Sequence, residues 1–367
     1  MADKKNLIIL TAGGTGGHIY PAEALARQLL DRGYDLMFIT DKRGLNNYHG
    51  ILSKIKNLSV LSGPLMGKSK LLKIKSLFKL SIGLLQSLCI IIFYRPKCIV
   101  GFGGYASFPC CVAAILLKKK LIIHEQNSVM SRTNRFLARY ATIIATSFPK
   151  TKYLPKDKKI IQTGMPVRST ISKLFEQKYK APDLHSEFNI LILGGSQGAK
   201  IFAQTIPSSI KLLSQEQQKR LSITQQCRSD DVDVLKQEYK DFPCKVTISS
   251  FFDNMPEIYE KTHLVISRSG ASSVTEIAAV GLPAIFVPLP TAADDHQTTN
   301  ATAFKEYNGC IVVQQADFIP EKLAEILVYM LNNPQYMSSL SDNIKKVAIT
   351  DADIRLADIV EKTVIGE

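Results

Sequence analysis

Short apolar runs recur along this chain, and each ends in a turn rich in glycine or small polar residues. The first covers residues 7–10 and leads into Gly13-Gly-Thr-Gly-Gly17. A helical pattern over 21–31 follows, stops at Gly33, and gives way to a second apolar run at 36–40. Further strand-like runs fall at 98–100, 121–124, 190–193, 221–225, 245–248, 264–267 and 284–287. Short apolar strands alternating with helical segments predict parallel α/β sheets covered on both faces. The run at 190–193 enters Gly194-Gly-Ser-Gln-Gly-Ala199 just as the first run enters its glycines. A Rossmann-like unit therefore begins twice, with Gly164 and Pro166 punctuating a linker at 163–168.

One segment breaks this rhythm. Lys68, Lys70, Lys73, Lys75 and Lys79 are interleaved with Leu71, Leu72, Ile74, Leu77, Phe78 and Leu80, and a second apolar stretch then runs to Tyr94. The stretch 80–94 falls short of the roughly 20 residues of a spanning helix. Ser81, Gly83 and Gln86 also interrupt it. Two readings stay open: a helix buried on its own domain with solvated lysines, and an interfacial helix with its apolar face among lipid headgroups. The apolar run near the N-terminus reads as a first strand and not a secretory signal.

Composition narrows the class. At 46% hydrophobic over 367 residues, the chain has material for two packed cores. Lys and Arg number 46 against 32 Asp and Glu, a net charge of +14. Such a balance attracts phosphorylated substrates, anionic lipid or nucleic acid without choosing among them. The seven cysteines show no metal-ligand spacing and read as reduced thiols.

Candidate chemistry gathers at the glycine turns. Backbone N–H groups at a helix start, freed of side-chain bulk, form an anion site. The first loop is no dinucleotide fingerprint, since Ile19 stands where its third glycine belongs, and 63–69 is one residue short of a P-loop. His18 is placed to serve as a general base or simply as a helix-entry histidine, with Pro21 expected in the first helical turn. Ser273-x-x-Glu276 reads from spacing as a capping box. The rival reading is a carboxylate for ribose hydroxyls, beside a helix start that takes phosphates.

Taken together and in order, the motifs resemble a known family. They are Gly13-Gly-Thr-Gly-Gly-His18-Ile-Tyr-Pro21, Gly103-Gly-Tyr-Ala-Ser-Phe-Pro109, and His124-Glu-Gln-Asn127 with Asn134. Beyond them come Gly194-Gly-Ser-Gln-Gly-Ala199, Arg268-Ser-Gly-Ala-Ser-Ser-Val-Thr-Glu276, and Asp294-Asp-His-Gln297 with Asn300. The set is similar to the UDP-N-acetylglucosamine transferases of peptidoglycan precursor synthesis, which are GT-B glycosyltransferases. The resemblance implies an α/β fold of two Rossmann-like doubly wound domains facing across a cleft. Residues 1–165 would bind acceptor and membrane, with a C-terminal helix in 349–367 packing back on them, and 166–348 would bind UDP-GlcNAc.

It also implies the reaction: inverting transfer of GlcNAc to the 4-hydroxyl of MurNAc in undecaprenyl-pyrophosphoryl-MurNAc-pentapeptide (lipid I). His18 would be the base. Thr15, Gly16 and Gly17 would line the cleft, and Asn127 would meet the donor sugar. Arg168 and Ser196 would contact the nucleotide and its diphosphate, and Phe252 would lie at the uracil. The backbone of Ala271, Ser272, Ser273, Val274 and Thr275 would hold the diphosphate, Glu276 the ribose and Gln297 the sugar hydroxyls. No metal or other cofactor is expected, and Asp294-Asp295 reads as loop structure. The expected location is the cytoplasmic face of the bacterial inner membrane, peripherally held on anionic phospholipid. Alternatives are a GT-B transferase with another lipid or soluble acceptor, a UDP-GlcNAc epimerase of similar architecture, and a basic nucleic-acid-binding protein. For the last, zinc spacing, RNP-like aromatics and a helix-turn-helix signal are all lacking, so no nucleic acid is expected.

Overall fold

The computed structural model describes residues 6–46, 50–63, 70–195 and 199–366, with backbone alone at 46 and 70–73. It divides into two compact units, one of residues 1–168 with 349–367 and one of residues 169–348.

Among the described residues the first unit holds seven strands: β1 Leu7–Thr11, β2 Asp35–Thr40, β3 Lys56–Ser59, β4 Cys98–Gly101, β5 Lys120–Glu125, β6 Ile143–Thr146 and β7 Ile160–Gln162. They form one sheet in the order β3-β2-β1-β4-β5-β6-β7, with every pairing parallel. The alternation of side chains along a strand explains why β1 is apolar throughout. Ile8 and Leu10 enter a core with Leu25, Leu29, Leu356 and Val360, while Leu7 and Ile9 enter another with Ile91, Cys110 and Ala114. Burying each such side chain contributes about 1.5–3 kcal/mol. The last helix, Ala352–Ile365, lies against the helix Gly16–Asp31. Arg32 clasps it, with nitrogens 2.7 Å from Asp358 and 2.9 Å from Glu361.

The second unit holds β8 Phe188–Leu193, β9 Leu221–Gln226, β10 Lys245–Ser249, β11 Leu264–Ser267, β12 Ala284–Phe286 and β13 Ile311–Val312. Their order is β10-β9-β8-β11-β12-β13, again all parallel. In each sheet the chain reverses its direction of winding beside the first strand, between β1 and β4 and between β8 and β11. Loops at the carboxyl ends of such a pair diverge and leave a crevice, where doubly wound sheets bind ligands.

Two expectations need correction here. The first helix begins at Gly16 and carries Pro21 inside it, so Gly16, Gly17 and His18 belong to its first turn. Within 68–97 the residues Lys70–Tyr94 form a single helix, and 95–97 lie beyond its end. Its stretch Ile74–Tyr94 is long and apolar enough to cross a membrane by length and composition. Reading only 80–94 underestimated it, because Lys75 and Lys79 stand among apolar neighbours on the same helix.

Candidate active site

In the first unit the crevice between β1 and β4 is built by glycine contacts. The Gly13 N–H donates to the Gly103 carbonyl at 2.9 Å. Gly103 and Gly104 adopt left-handed φ of 80° and 79°, and a Cβ on Gly104 would lie 2.7 Å from the Gly13 Cα. Side chains would force the two loops apart. With Thr15 as N-cap making no side-chain capping bond, Gly16 and Gly17 present first-turn N–H groups at the crevice.

His18 lies over Gly103, and its Nδ1 is 2.9 Å from Thr15 Oγ1. Burial lowers its pKa to about 4, so the ring is neutral at pH 7 and can take up a proton. Neighbouring His124 is fully buried, with Nε2 3.0 Å from the Gly164 carbonyl. Desolvation holds it near 4 as well, with the Gly164 bond opposing and His18 adding repulsion. Gln126 donates to the Phe102 carbonyl at 2.8 Å and lies 3.3 Å from His124 Nδ1. Arg168 stands over the Tyr20 ring, 5.2 Å from its centroid, within this same unit.

Glu125 is a site residue for which sequence reasoning found no role. Fully buried, it accepts from the Asn127 backbone at 3.0 Å, the Ser131 backbone at 2.9 Å and the Asn134 side chain at 2.8 Å. Burial raises its pKa and these donors oppose the rise. Its place is to hold Asn127 at the end of β5. The signal was its position at the end of an apolar strand, where a carboxylate needs partners.

In the second unit the corresponding crevice is headed by the helix Ala271–Val280. Its N-cap is Gly270, with no side-chain capping bond. This overturns the capping-box reading: Ser273 is the third helical residue, and Glu276 lies a turn further on. The N–H groups of Ala271, Ser272 and Ser273 head the helix, and the Val274 N–H already bonds the Gly270 carbonyl at 3.1 Å. Thr275 Oγ1 turns back to the Ala271 carbonyl at 2.8 Å. Glu276 is buried, with Oε2 3.5 Å from the Tyr259 hydroxyl.

Gln297 accepts the Leu289 N–H at 3.0 Å through Oε1, which leaves its amide NH2 as a donor. Phe252 follows β10, two strands from β8 on the same carboxyl edge. Ser196 lies outside the described residues. Arg268 is the residue missed here. Buried and desolvated, which lowers its pKa, it donates to Val287 and Pro288 carbonyls at 3.0 and 3.1 Å and to Gln315 at 2.6 Å. It thereby fixes the loop that carries Leu289 and, through it, Gln297. Among the described residues no cluster of three or more His, Cys, Asp or Glu is arranged to hold a metal ion.

Two parallel doubly wound sheets, each with a glycine-headed helix start beside its switch point, define the architecture of GT-B nucleotide-sugar enzymes, and the family match makes this one a transferase. Residues 8–146 match the glycosyltransferase family 28 N-terminal domain and 189–356 its C-terminal domain, and the chain belongs to that family. It is 42% identical over 356 residues to the Rhodospirillum rubrum UDP-N-acetylglucosamine--N-acetylmuramyl-(pentapeptide) pyrophosphoryl-undecaprenol N-acetylglucosamine transferase, covering 97% of this chain and 92% of that protein. The protein of the same name from Paramagnetospirillum magneticum is 42% identical over 362 residues, 98% of this chain and 97% of that one. Among solved structures, Acinetobacter baumannii MurG superposes with a TM-score of 0.77 at 29% identity, over 97% of this chain and 99% of that one. The Neisseria meningitidis UDP-GlcNAc 2-epimerase bound to UDP-GlcNAc, at 13% identity and TM-score 0.68 over 98% and 100% of the chains, shares the fold alone.

Proposed function

We propose that this enzyme transfers GlcNAc from UDP-GlcNAc to the 4-hydroxyl of MurNAc in lipid I, at the cytoplasmic face of the bacterial inner membrane. The observation that carries this reading is the 42% identity, over almost the whole of both chains, to transferases named for that reaction. The geometry supports it. The acceptor hydroxyl attacks the anomeric carbon, its proton passes to His18 Nε2, and the bond from that carbon to the UDP oxygen breaks with inversion. Gly16, Gly17 and Thr15 line the acceptor side, and Asn127, held by Glu125, meets the donor sugar.

The helix start of Ala271, Ser272, Ser273, Val274 and Thr275, whose first three N–H groups head the helix, is assigned to the departing diphosphate, with Arg168 and Ser196 as its further ligands. Their partial and full positive charges stabilise it without calling on a metal. Glu276 takes the ribose hydroxyls, Phe252 the uracil and Gln297 the sugar. Incubation with UDP-GlcNAc and the lipid-linked muramoyl-pentapeptide, in the presence of a chelator, should give the disaccharide. Transfer only to some other acceptor would sink the reading.

The membrane assignment rests on the helix Lys70–Tyr94, which is apolar on its exposed side as well as its buried one. Its buried stripe is Ser76, Leu80, Gly83, Ser87 and Ile91, while Ile74, Leu77, Phe78, Leu85, Ile92 and Phe93 are exposed, Phe93 to 73%. A soluble helix hides the larger apolar groups. Here Leu80 and Ile91, with Ser76, Gly83 and Ser87 allowing close approach, seat the helix on its own unit, and the exposed apolar stripe, flanked by exposed Lys75 and Lys79, suits an anionic lipid surface.

A further inference from the structure

The carboxyl edge of the first sheet has an order that the acceptor chemistry can be laid along. At β3 the chain abuts the apolar-faced helix: the Leu61 N–H donates to Gln86 at 2.9 Å, and a Cβ on Gly83 would collide with the Leu61 carbonyl. Next comes β2, which ends at Thr40 and is followed by Asp41. Then comes β1, followed by the glycine loop and His18. With neighbouring strands about 4.8 Å apart, β2 lies midway along a span of roughly 10 Å.

Asp41 is buried, and both of its oxygens are engaged. Oδ1 accepts the Gly44 N–H at 2.9 Å, and Oδ2 accepts from Arg43 Nη2 at 2.8 Å and Nε at 3.2 Å. The loop also touches the glycine turn, since a Cβ on Gly14 would lie 2.7 Å from Asp41 Oδ1 and 2.8 Å from the Gly44 nitrogen. The Arg43 side chain is 70% exposed. Among the described residues its Nη1 has no partner, and Lys42 beside it is exposed. A guanidinium held on one side by a buried carboxylate and open on the other is oriented in advance for a phosphate oxygen pair.

We propose that Arg43, oriented by Asp41, binds the diphosphate that joins the acceptor's sugar to its lipid. This rests on the acceptor reading above: a molecule whose lipid leaves the apolar helix and whose sugar reaches His18 must carry its diphosphate past the end of β2. Asp41 is a positioning residue and Arg43 the ligand.

The test is binding of a detergent-solubilised polyprenyl diphosphate that carries no sugar, with the matching polyprenyl alcohol alongside. Arg43→Ala should weaken diphosphate binding at least about tenfold. Affinity for the alcohol, for UDP-GlcNAc and for phosphatidylglycerol vesicles should be unchanged. Arg43→Lys, which keeps the charge but not the fork, and Asp41→Asn, which frees the guanidinium, should fall between. In steady-state transfer the same variants should raise KM for the lipid acceptor with little change in kcat. Wild-type binding that does not distinguish diphosphate from alcohol, or an Arg43→Ala protein that binds diphosphate normally, overturns the proposal. So does an equal loss on phosphatidylglycerol, which would make Arg43 a general contact with anionic lipid. A wild-type enzyme that binds the diphosphate but transfers no GlcNAc would overturn the acceptor reading and leave Arg43 a diphosphate ligand.

Discussion

Thr15 Oγ1 and His18 Nδ1 lie 2.9 Å apart, one helical turn from each other at the crevice of the first unit. If the ring N–H at Nδ1 donates to the hydroxyl, the lone pair is left on Nε2, the tautomer a general base needs. Thr15→Val should therefore lower kcat by about one to two decades with little effect on UDP affinity, and Thr15→Ser should restore most of it. His18→Ala should cost roughly two to four decades in kcat. Equal loss of UDP-GlcNAc binding in the His18 variant would place it in the donor site instead.

Glu276 lies in the second turn of its helix, away from the N-cap at Gly270, so its substitution separates binding from stability. Glu276→Gln should weaken UDP binding by about 1.5–3 kcal/mol, the scale of a hydrogen bond to a charged group. The melting temperature should hardly move. A lowered melting temperature with normal UDP affinity, read by calorimetry, would show that the carboxylate serves the fold.

His124 links stability to pH. Its folded pKa of about 4 lies below the ordinary histidine value of 6.5, so between these two the unfolded chain binds the proton and the folded protein resists it. Stability is full above about pH 6.5 and falls as pH drops toward 4, by about 3 kcal/mol for this group. His18 acts in the same direction, whereas Glu125, whose pKa is raised, acts in the opposite one as pH falls through its raised value toward the ordinary carboxylate range. Urea melts at pH 7 and pH 4.5 should show the loss, and His124→Gln should flatten the slope. An unchanged slope would mean that His124 takes up its proton as readily in the fold as in the unfolded chain.

The exposed apolar stripe of the helix Lys70–Tyr94 predicts how lipid binding will fail. Leu77→Ser with Phe78→Ser should reduce sedimentation with phosphatidylglycerol vesicles at any salt, since it removes apolar contact. Lys75→Glu with Lys79→Glu should reduce it mainly at low salt, at about 1 kcal/mol per lysine. Both should leave UDP affinity alone. Wild-type sedimentation by the serine variant would put the docking surface elsewhere.

Much of this was legible before the fold. Nine of the thirteen described strands follow from apolar runs ending in small residues, because a strand buried on both faces must be apolar throughout; 56–59, 143–146, 160–162 and 311–312 are too short or too polar to stand out, and the order within each sheet came only from the fold. The glycine loops stood out in this way, whereas His18 stayed open between two readings and Asn127 entered only through the family resemblance. What the linear pattern could not decide was which small polar residue heads a helix. Ser273-x-x-Glu276 has the spacing of a cap, yet the chain enters the helix at Gly270, because β11 ends at Ser267 and dictates where the turn begins. Nor could it show which stripe of Lys70–Tyr94 faces inward. Hydrophobicity alone buries Phe78 and Phe93, but the close approach of the Leu61 carbonyl admits only the side with Gly83, flanked by Ser76 and Ser87. Glu125, Arg268 and Asp41 acquire roles only when distant backbone amides, carbonyls and guanidinium groups converge on them. A residue's partners are set by the sheet that gathers them, and sequence spacing does not encode that gathering.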